Sequence, residues 1–150
     1  MSNEANLSDY DRDKIAKQAL VKETLAVHCT AGSPFEEIRA IASALARSED
    51  VRLSNLSGGY TNYTYKIAVG EEGDEETKVF AKLCFPRAFW NPDPDYVYDT
   101  NRIVNEKIML ESFAKLANGC AAKPYMLIDL EDDMKILITG WAPGDEQLAK

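Results

Sequence analysis

The chain has 150 residues, of which 45% are hydrophobic and 28% are charged, a composition typical of one globular domain with a packed core. Its formal net charge of -8 argues against a protein that binds duplex nucleic acid, because such proteins gather Lys and Arg against phosphates. No stretch approaches the roughly 18 apolar residues that a membrane span requires, and the start lacks the pattern of a signal peptide. We therefore expect a cytoplasmic protein with no nucleic-acid and no membrane partner.

The metal-binding and nucleophilic residue types are sparse. Three widely spaced cysteines, Cys29, Cys84 and Cys120, predict reduced thiols rather than a disulfide framework or a zinc site. His28 is the only histidine, so a zinc site or a histidine-based triad would lack its usual parts. We interpret His28 as a residue at the end of a helix.

Two helices are predicted before any strand. Residues 10–29 carry apolar side chains at near-helical spacing, with Asp9 or Asp11 as the N-cap. Ser33, directly before Pro34, is the predicted cap of a second helix that runs through Leu45. The apolar positions behind the first prediction are Ile15, Ala19, Leu20, Ala26 and Val27.

The following segments change to a strand pattern. Residues 51–59, 61–69 and 78–85 are rich in β-branched and aromatic residues and are separated by glycine-containing turns, which predicts a three-stranded antiparallel meander. The acidic run at 70–77 lacks the alternating ligands of a calcium loop, so metal binding is not favoured there. The proline-rich residues 86–99 are predicted to form a loop.

A long helix is predicted from Thr100 to Ala117, with Ile103, Leu110 and Phe113 along one stripe. Met109 and Leu116 lie beside that stripe. Two strands follow at 124–130 and 134–141, joined by an acidic turn. The predicted fold class is α+β, with a five-stranded antiparallel sheet, one long packed helix and two preceding helices. We divide it into a helical segment 1–48, a lobe 49–141 and a linker with the start of another helix at 142–150.

Paired glycines lie at the turn between the first two strands. Glycines at such a turn let backbone N–H groups approach phosphate oxygens without a Cβ in the way. The alternative interpretation is an ordinary hairpin turn. The candidate residues at this turn are Ser57, Gly58, Gly59, Thr61 and Asn62.

Lys82 and Glu106 are a second pair of candidates. Strand alternation places Lys82 on the face opposite Val79 and Ala81, between apolar neighbours. Glu106 lies on the apolar stripe of the long helix, where a carboxylate needs a cationic partner, and Lys82 is the candidate for that partner. An exposed strand lysine is the alternative for Lys82, Glu111 is the second choice for its partner, and Arg102 could instead pair with Glu106 at i,i+4 spacing.

The apolar strand 136–141 opens into a Gly/Pro-containing linker through Gly144. Backbone groups at such a strand end can pair with a ligand, which makes Thr139, Gly140 and Trp141 candidate binding residues. A plain strand end is equally consistent with these residues.

The motif Gly-Gly-x-Thr-Asn at 58–62, followed by an aromatic residue, resembles the nucleotide loop of the choline/ethanolamine kinase and aminoglycoside phosphotransferase group. The order of elements from Val51 onward is similar to the amino-terminal lobe of that kinase-like fold. The resemblance implies that residues 57–62 line the phosphates of ATP, that Glu106 holds Lys82 toward them, and that Thr139 to Trp141 contact adenine. It departs from the family at Lys82, where Arg is common, and in the length of the loop 86–99.

By this resemblance the complete enzyme would phosphorylate the hydroxyl of choline or ethanolamine in phospholipid precursor synthesis, with ATP and Mg²⁺ as cofactors. The catalytic Asp and the metal ligands of such enzymes lie in a large lobe after the linker. We find no His-x-Asp-x-x-x-x-Asn run here, so we expect these residues alone to be inactive and to expose a surface near Trp141 that favours self-association. The alternatives are a non-catalytic binding or regulatory module, and an unrelated α+β protein in which these residues are structural.

Overall fold

The computed structural model describes residues 7–56, 62–71, 76–87, 93, 95–116 and 121–141. These residues form three α-helices and one five-stranded antiparallel sheet, which confirms the predicted α+β class and strand number. No helix among them is both long and apolar enough to cross a membrane. In chain order the elements are α1 (Asp9–His28), α2 (Glu36–Ala46), β1 (Arg52–Leu56), β2 (Asn62–Val69), β3 (Thr77–Cys84), α3 (Arg102–Leu116), β4 (Pro124–Asp129) and β5 (Lys135–Gly140).

The strand order in the sheet is β1-β2-β3-β5-β4. The first three strands form the predicted meander, and β5 then pairs with β3, which leaves β4 at the edge. A single turn of 3-10 helix, Glu131–Asp133, connects β4 to β5. Asp132 and Asp133 adopt φ angles of 60° and 58° there, a left-handed conformation that Asp tolerates better than most residues.

The two faces of the sheet pack against different helices. Val79, Ala81 and Leu83 of β3 are fully buried and share one core with α1 and α2. The alternate positions of β3 face α3, where Cys84 packs with Ile103 in a second, smaller core. The sheet therefore lies between a helix pair and a single helix, as the alternation along a strand requires when both faces are covered.

The prediction of which α1 residues form its buried apolar stripe is wrong. Its buried positions are Val21, Thr24 and Leu25, at the i, i+3, i+4 spacing of a helix face. The pattern was obscured because the face of α1 that meets the sheet also carries polar side chains. The phenol of Tyr63 donates a 2.7 Å hydrogen bond to Asp13. Of the predicted positions, Ile15, Ala19, Ala26 and Val27 are exposed and Leu20 is half-buried.

Both predicted helix caps also require correction. The N-cap of α1 is Ser8, whose hydroxyl accepts a hydrogen bond from the Asp11 backbone N–H at 3.1 Å. Asp9 and Asp11 lie in the first turn, where a negative charge is still favourable. The residue before α2 is Phe35, and the hydroxyl of Ser33 accepts from its N–H at 3.2 Å, a local turn of the kind that serine forms ahead of a helix.

The apolar stripe of α3 is only partly buried. Ile103 is 1% exposed, whereas Phe113 is 44% exposed, so the prediction that Phe113 belongs to the packed face is wrong. On this side the sheet offers a small apolar surface, which Ile103 and Leu110 cover. Met109 and Leu116 face solvent.

Candidate functional site

A cavity of about 130 Å³ lies between α3 and the sheet. Its polar lining consists of four residues that the sequence singled out: Lys82, Glu106, Thr139 and Gly140. Residues that are far apart in the chain thus meet at one place. The remaining lining is apolar and comes from Phe80, Leu110, Ala122 and Leu137.

Lys82 and Glu106 form an ion pair in the wall of this cavity. The Lys82 Nζ lies 2.7 Å from the Glu106 Oε1, which confirms the predicted pairing. The two side chains are 22% and 40% exposed, so water screens their attraction and the pair adds little to the free energy of unfolding. Its effect is on geometry, because it fixes the direction of the lysine side chain.

The other partners considered for these two residues are engaged elsewhere. Glu111 is bonded to Lys107 on its own helix, at i,i+4 spacing. The Arg102 guanidinium donates to the Asn62 Oδ1 at 3.1 Å and lies 3.6 Å from the Cys84 sulfur. Arg102 therefore joins α3 to β2 and β3 one helical turn before Glu106.

Asn62 is the only member of the predicted phosphate loop that falls within the described residues. It begins β2 and pairs with Cys84 of β3, on the side of the sheet that α3 covers. Ser57, Gly58, Gly59 and Thr61 lie outside the described residues.

The end of β5 is tightly held. The Thr139 hydroxyl donates to the Gly140 carbonyl at 3.0 Å, and the Gly140 N–H donates to the Lys123 carbonyl at 2.8 Å. The Gly140 N–H is consequently not free to meet an adenine ring. The Gly140 carbonyl already accepts one of the two hydrogen bonds that a carbonyl oxygen can accept.

Trp141 follows Gly140 and is half-buried. Its ring meets Phe80 edge to face, with ring centres 6.4 Å apart. The ammonium groups of Lys66 and Lys78 lie 5.9 Å and 4.9 Å from the centre of the indole. Within the part of the chain that the structure describes, the buried Trp141 Nε1 makes no hydrogen bond. Residues 142–150, the predicted linker, lie outside it.

Sequence reasoning missed a cluster of charges on the same face of the sheet. Glu76 accepts from Lys66 at 2.6 Å and from Arg52 at 3.2 Å, and its side chain is only 8% exposed. The hydrogen bond from Lys66 holds the pKa of the Glu76 carboxyl below its ordinary value. The strand register places Arg52, Lys66, Lys78 and Lys82 on one face, so alternation across neighbouring strands would have revealed the cluster.

Glu76 belongs to the acidic run for which a metal site was considered and not favoured. Its carboxylate is paired with the side chains of Arg52 and Lys66. Within residues 7–56, 62–71, 76–87, 93, 95–116 and 121–141, no three His, Cys, Asp or Glu side chains group in a way that would hold a metal ion.

No known family model matches the sequence, and no curated protein matches it.

The described arrangement suits a ligand with one apolar and one anionic part. Apolar walls with a few directed polar groups are what small-molecule sites commonly present. The cavity has such walls at Phe80 and Leu137, and the Lys82 ammonium, steadied by Glu106, supplies a cation at its edge. The nearby Arg102 and Asn62 add hydrogen-bonding groups at the end of β2.

Proposed function

We propose that these residues form the nucleotide-binding lobe of a small-molecule kinase that transfers the γ-phosphate of ATP to the hydroxyl of choline or ethanolamine. The observation that carries the proposal is the 2.7 Å ion pair between Lys82 and Glu106 in the wall of an apolar cavity. A lysine on a strand, held by a carboxylate from the neighbouring helix, is the device by which kinases hold nucleotide phosphates.

Each part of the site has a role in this proposal. Lys82 binds phosphate oxygens and Glu106 keeps its side chain extended toward them. Phe80, Leu110 and Leu137 form apolar walls for the adenine ring. Ser57, Gly58, Gly59, Thr61 and Asn62 are assigned to the phosphates by their sequence motif.

The contact to the edge of adenine is assigned to the end of β5. Because the Gly140 N–H already donates to Lys123, we assign this contact to the Gly140 carbonyl and the backbone of Trp141. Thr139 closes the cavity beside them with its hydroxyl turned to the Gly140 carbonyl.

The proposal assigns nucleotide binding, and not acceptor activation, to these 150 residues. A phosphoryl transfer to an alcohol needs a residue that orients the hydroxyl and ligands for Mg²⁺. The sequence has no His-x-Asp-x-x-x-x-Asn run. Near the cavity, Glu106 is engaged in an ion pair with Lys82, and Glu76 is engaged with Lys66 and Arg52.

The test is MgATP binding by the full-length protein, measured by calorimetry, for the wild type and for Lys82→Met and Glu106→Gln. Each substitution is expected to raise the Kd about tenfold or more, because a charge-assisted contact to phosphate is lost or misdirected. Lys115→Met is the matched control, since Lys115 lies in the last turn of α3 and is exposed. Wild-type affinity in Lys82→Met would contradict the proposal.

Turnover distinguishes the kinase from a non-catalytic module. The full-length protein should convert ATP to ADP only when choline or ethanolamine is present. Tight MgATP binding without turnover on either amino alcohol would favour a binding or regulatory module that uses the same residues.

A further inference from the structure

Arg102 is the first residue of α3 and reaches two strands. Its guanidinium donates to the Asn62 Oδ1 at 3.1 Å and approaches the Cys84 sulfur at 3.6 Å. Asn62 and Cys84 are directly opposite each other in the β2–β3 register. The side chain therefore connects the helix to a single rung of the sheet.

The next pair on the same face of the sheet is held by Glu106. Thr64 and Lys82 are opposite each other two positions further along the same two strands, and Lys82 carries the ion pair to Glu106. Four residues of helix advance by about 6 Å, and two residues of strand advance by about 6.7 Å. The spacing of the two contacts along the helix thus nearly equals their spacing along the strands. Together they fix both the position and the register of α3 on the sheet.

Arg102 is also supported on its other side. The centre of its guanidinium lies 5.6 Å from the centre of the Tyr98 ring, within the distance of a cation–π contact. Tyr98 is itself anchored, because its N–H donates to the Pro86 carbonyl at 2.7 Å. A guanidinium supported in this way loses little conformational freedom when it bonds to Asn62.

We propose that Arg102 is a positioning residue for the phosphate end of the nucleotide site. It holds Asn62, the last residue of the Gly-Gly-x-Thr-Asn motif, to the helix that also directs Lys82. Asn62 and the lysine ammonium are then set relative to one another through α3. This inference rests on the proposed function and adds to it a residue that does not itself touch the nucleotide.

The experiment compares two ligands on the full-length protein, MgATP and adenosine, by calorimetry. Arg102→Gln is expected to raise the Kd for MgATP about fivefold, the effect of losing one hydrogen bond to a charged group at an exposed site. The Kd for adenosine should not change, because adenosine lacks the phosphates. A general loss of structure would weaken the binding of both ligands. A rise in the Kd for MgATP alone therefore reports positioning.

The decisive comparison is made in the Asn62→Ala background. There Arg102→Gln should have no further effect on MgATP, because the two residues act through one contact. Arg39→Gln is the matched control: the Arg39 guanidinium donates to the Ser33 carbonyl at 2.9 Å beside α2, and its loss should leave both affinities unchanged. If Arg102→Gln unfolds, Arg102→Lys provides a milder variant, because it keeps the charge but not the planar guanidinium. We expect it to weaken MgATP binding about twofold.

The outcomes separate this inference from the proposed function. No binding of either ligand by the wild type would overturn both. A wild type that binds MgATP, with Arg102→Gln unchanged, overturns the positioning role alone. An equal loss in the wild-type and Asn62→Ala backgrounds also overturns it, since Arg102 would then act on the nucleotide directly.

Discussion

The ring of Tyr125 packs so closely on Gly140 that a Cβ at position 140 would stand 2.8 Å from the phenol oxygen and 3.2 Å from the carbon that bears it. The ring has little room to withdraw. Its hydroxyl donates to Glu37 at 2.8 Å, and its face stacks on Phe35 with ring centres 4.6 Å apart. Gly140 is therefore required by the packing of α2 on the sheet.

Gly140→Ala should lower the free energy of unfolding by about 1–3 kcal/mol, the usual cost of overpacking. Urea unfolding measures this loss of stability. Gly32→Ala is the control, because a Cβ on Gly32 would meet nothing within 4 Å. Tyr125→Phe removes the nearest atom, so the double variant should lose less than the two single variants added together. Strict additivity would mean that the ring moves aside without cost.

Two buried tyrosines of β2 should respond in opposite ways to loss of their hydroxyls. Tyr65 is 0% exposed and its hydroxyl has no hydrogen-bond partner within the described residues, whereas the hydroxyl of Tyr63 donates to Asp13. Tyr65→Phe should raise the free energy of unfolding by about 1 kcal/mol, since it removes an unsatisfied buried group. Tyr63→Phe should lower it by about 1–2 kcal/mol, because the hydrogen bond to the half-buried Asp13 is lost. Destabilisation by Tyr65→Phe would show that its hydroxyl has a partner, such as water.

Glu76 should make the protein sensitive to acid. Its pKa in the folded state lies below the ordinary value of 4.5, chiefly through the hydrogen bond from Lys66. A lowered folded-state pKa gives stability that is complete above the unfolded-state pKa and is lost as the pH falls through the folded-state pKa. Glu76→Gln should thus be less stable than the wild type at pH 7, by about 1–2 kcal/mol, and the difference should shrink toward pH 3.

The matched control for this pH effect is Glu49→Gln. Glu49 also pairs with an arginine, Arg47, at 2.9 Å, but its side chain is 53% exposed, so its removal should change the stability little at either pH. A Glu76→Gln difference that stays constant from pH 7 to pH 3 would show that the carboxylate is not the source of the stability.

A polypeptide of residues 1–150 should not phosphorylate choline or ethanolamine with MgATP. The proposal places one cation and one wall of the nucleotide site in these residues, which leaves the triphosphate charge largely uncompensated. The assay measures ADP formation by this polypeptide with each amino alcohol. Turnover on either of them would mean that catalytic groups lie among residues assigned a structural role.

The sheet could be predicted from the sequence because strand alternation is a local signal. In β3, burial of Val79, Ala81 and Leu83 follows directly from the pattern, and the same alternation placed Lys82 toward α3. Lys82 and Glu106 each lie among apolar neighbours and need a partner, and the resemblance to a kinase-like fold singled out their pairing.

What could not be predicted depends on contacts between distant residues. The docking of α1 relies on Asp13 meeting Tyr63 across 50 positions, and no periodicity within the helix reveals a polar contact of this kind. The hydrogen bond from Arg102 to Asn62 joins residues that are 40 positions apart in the chain. The helix pattern offered Arg102 only one partner, Glu106 at i,i+4 spacing, as an alternative to the Lys82 pairing, because a helix pattern does not show contacts to distant strands.

The two hydrophobic cores on either side of the sheet differ in size, and this difference affects hydrogen exchange. The helix pair shares a large core with the sheet, whereas α3 rests on Cys84 and Leu137 through Ile103, with Leu110 beside them. An element with few buried contacts detaches at a lower free energy than the whole domain unfolds. Amide hydrogens of α3 should then exchange with deuterated water faster than those of β3, through a local opening in which Glu106 leaves Lys82 while the strands remain paired.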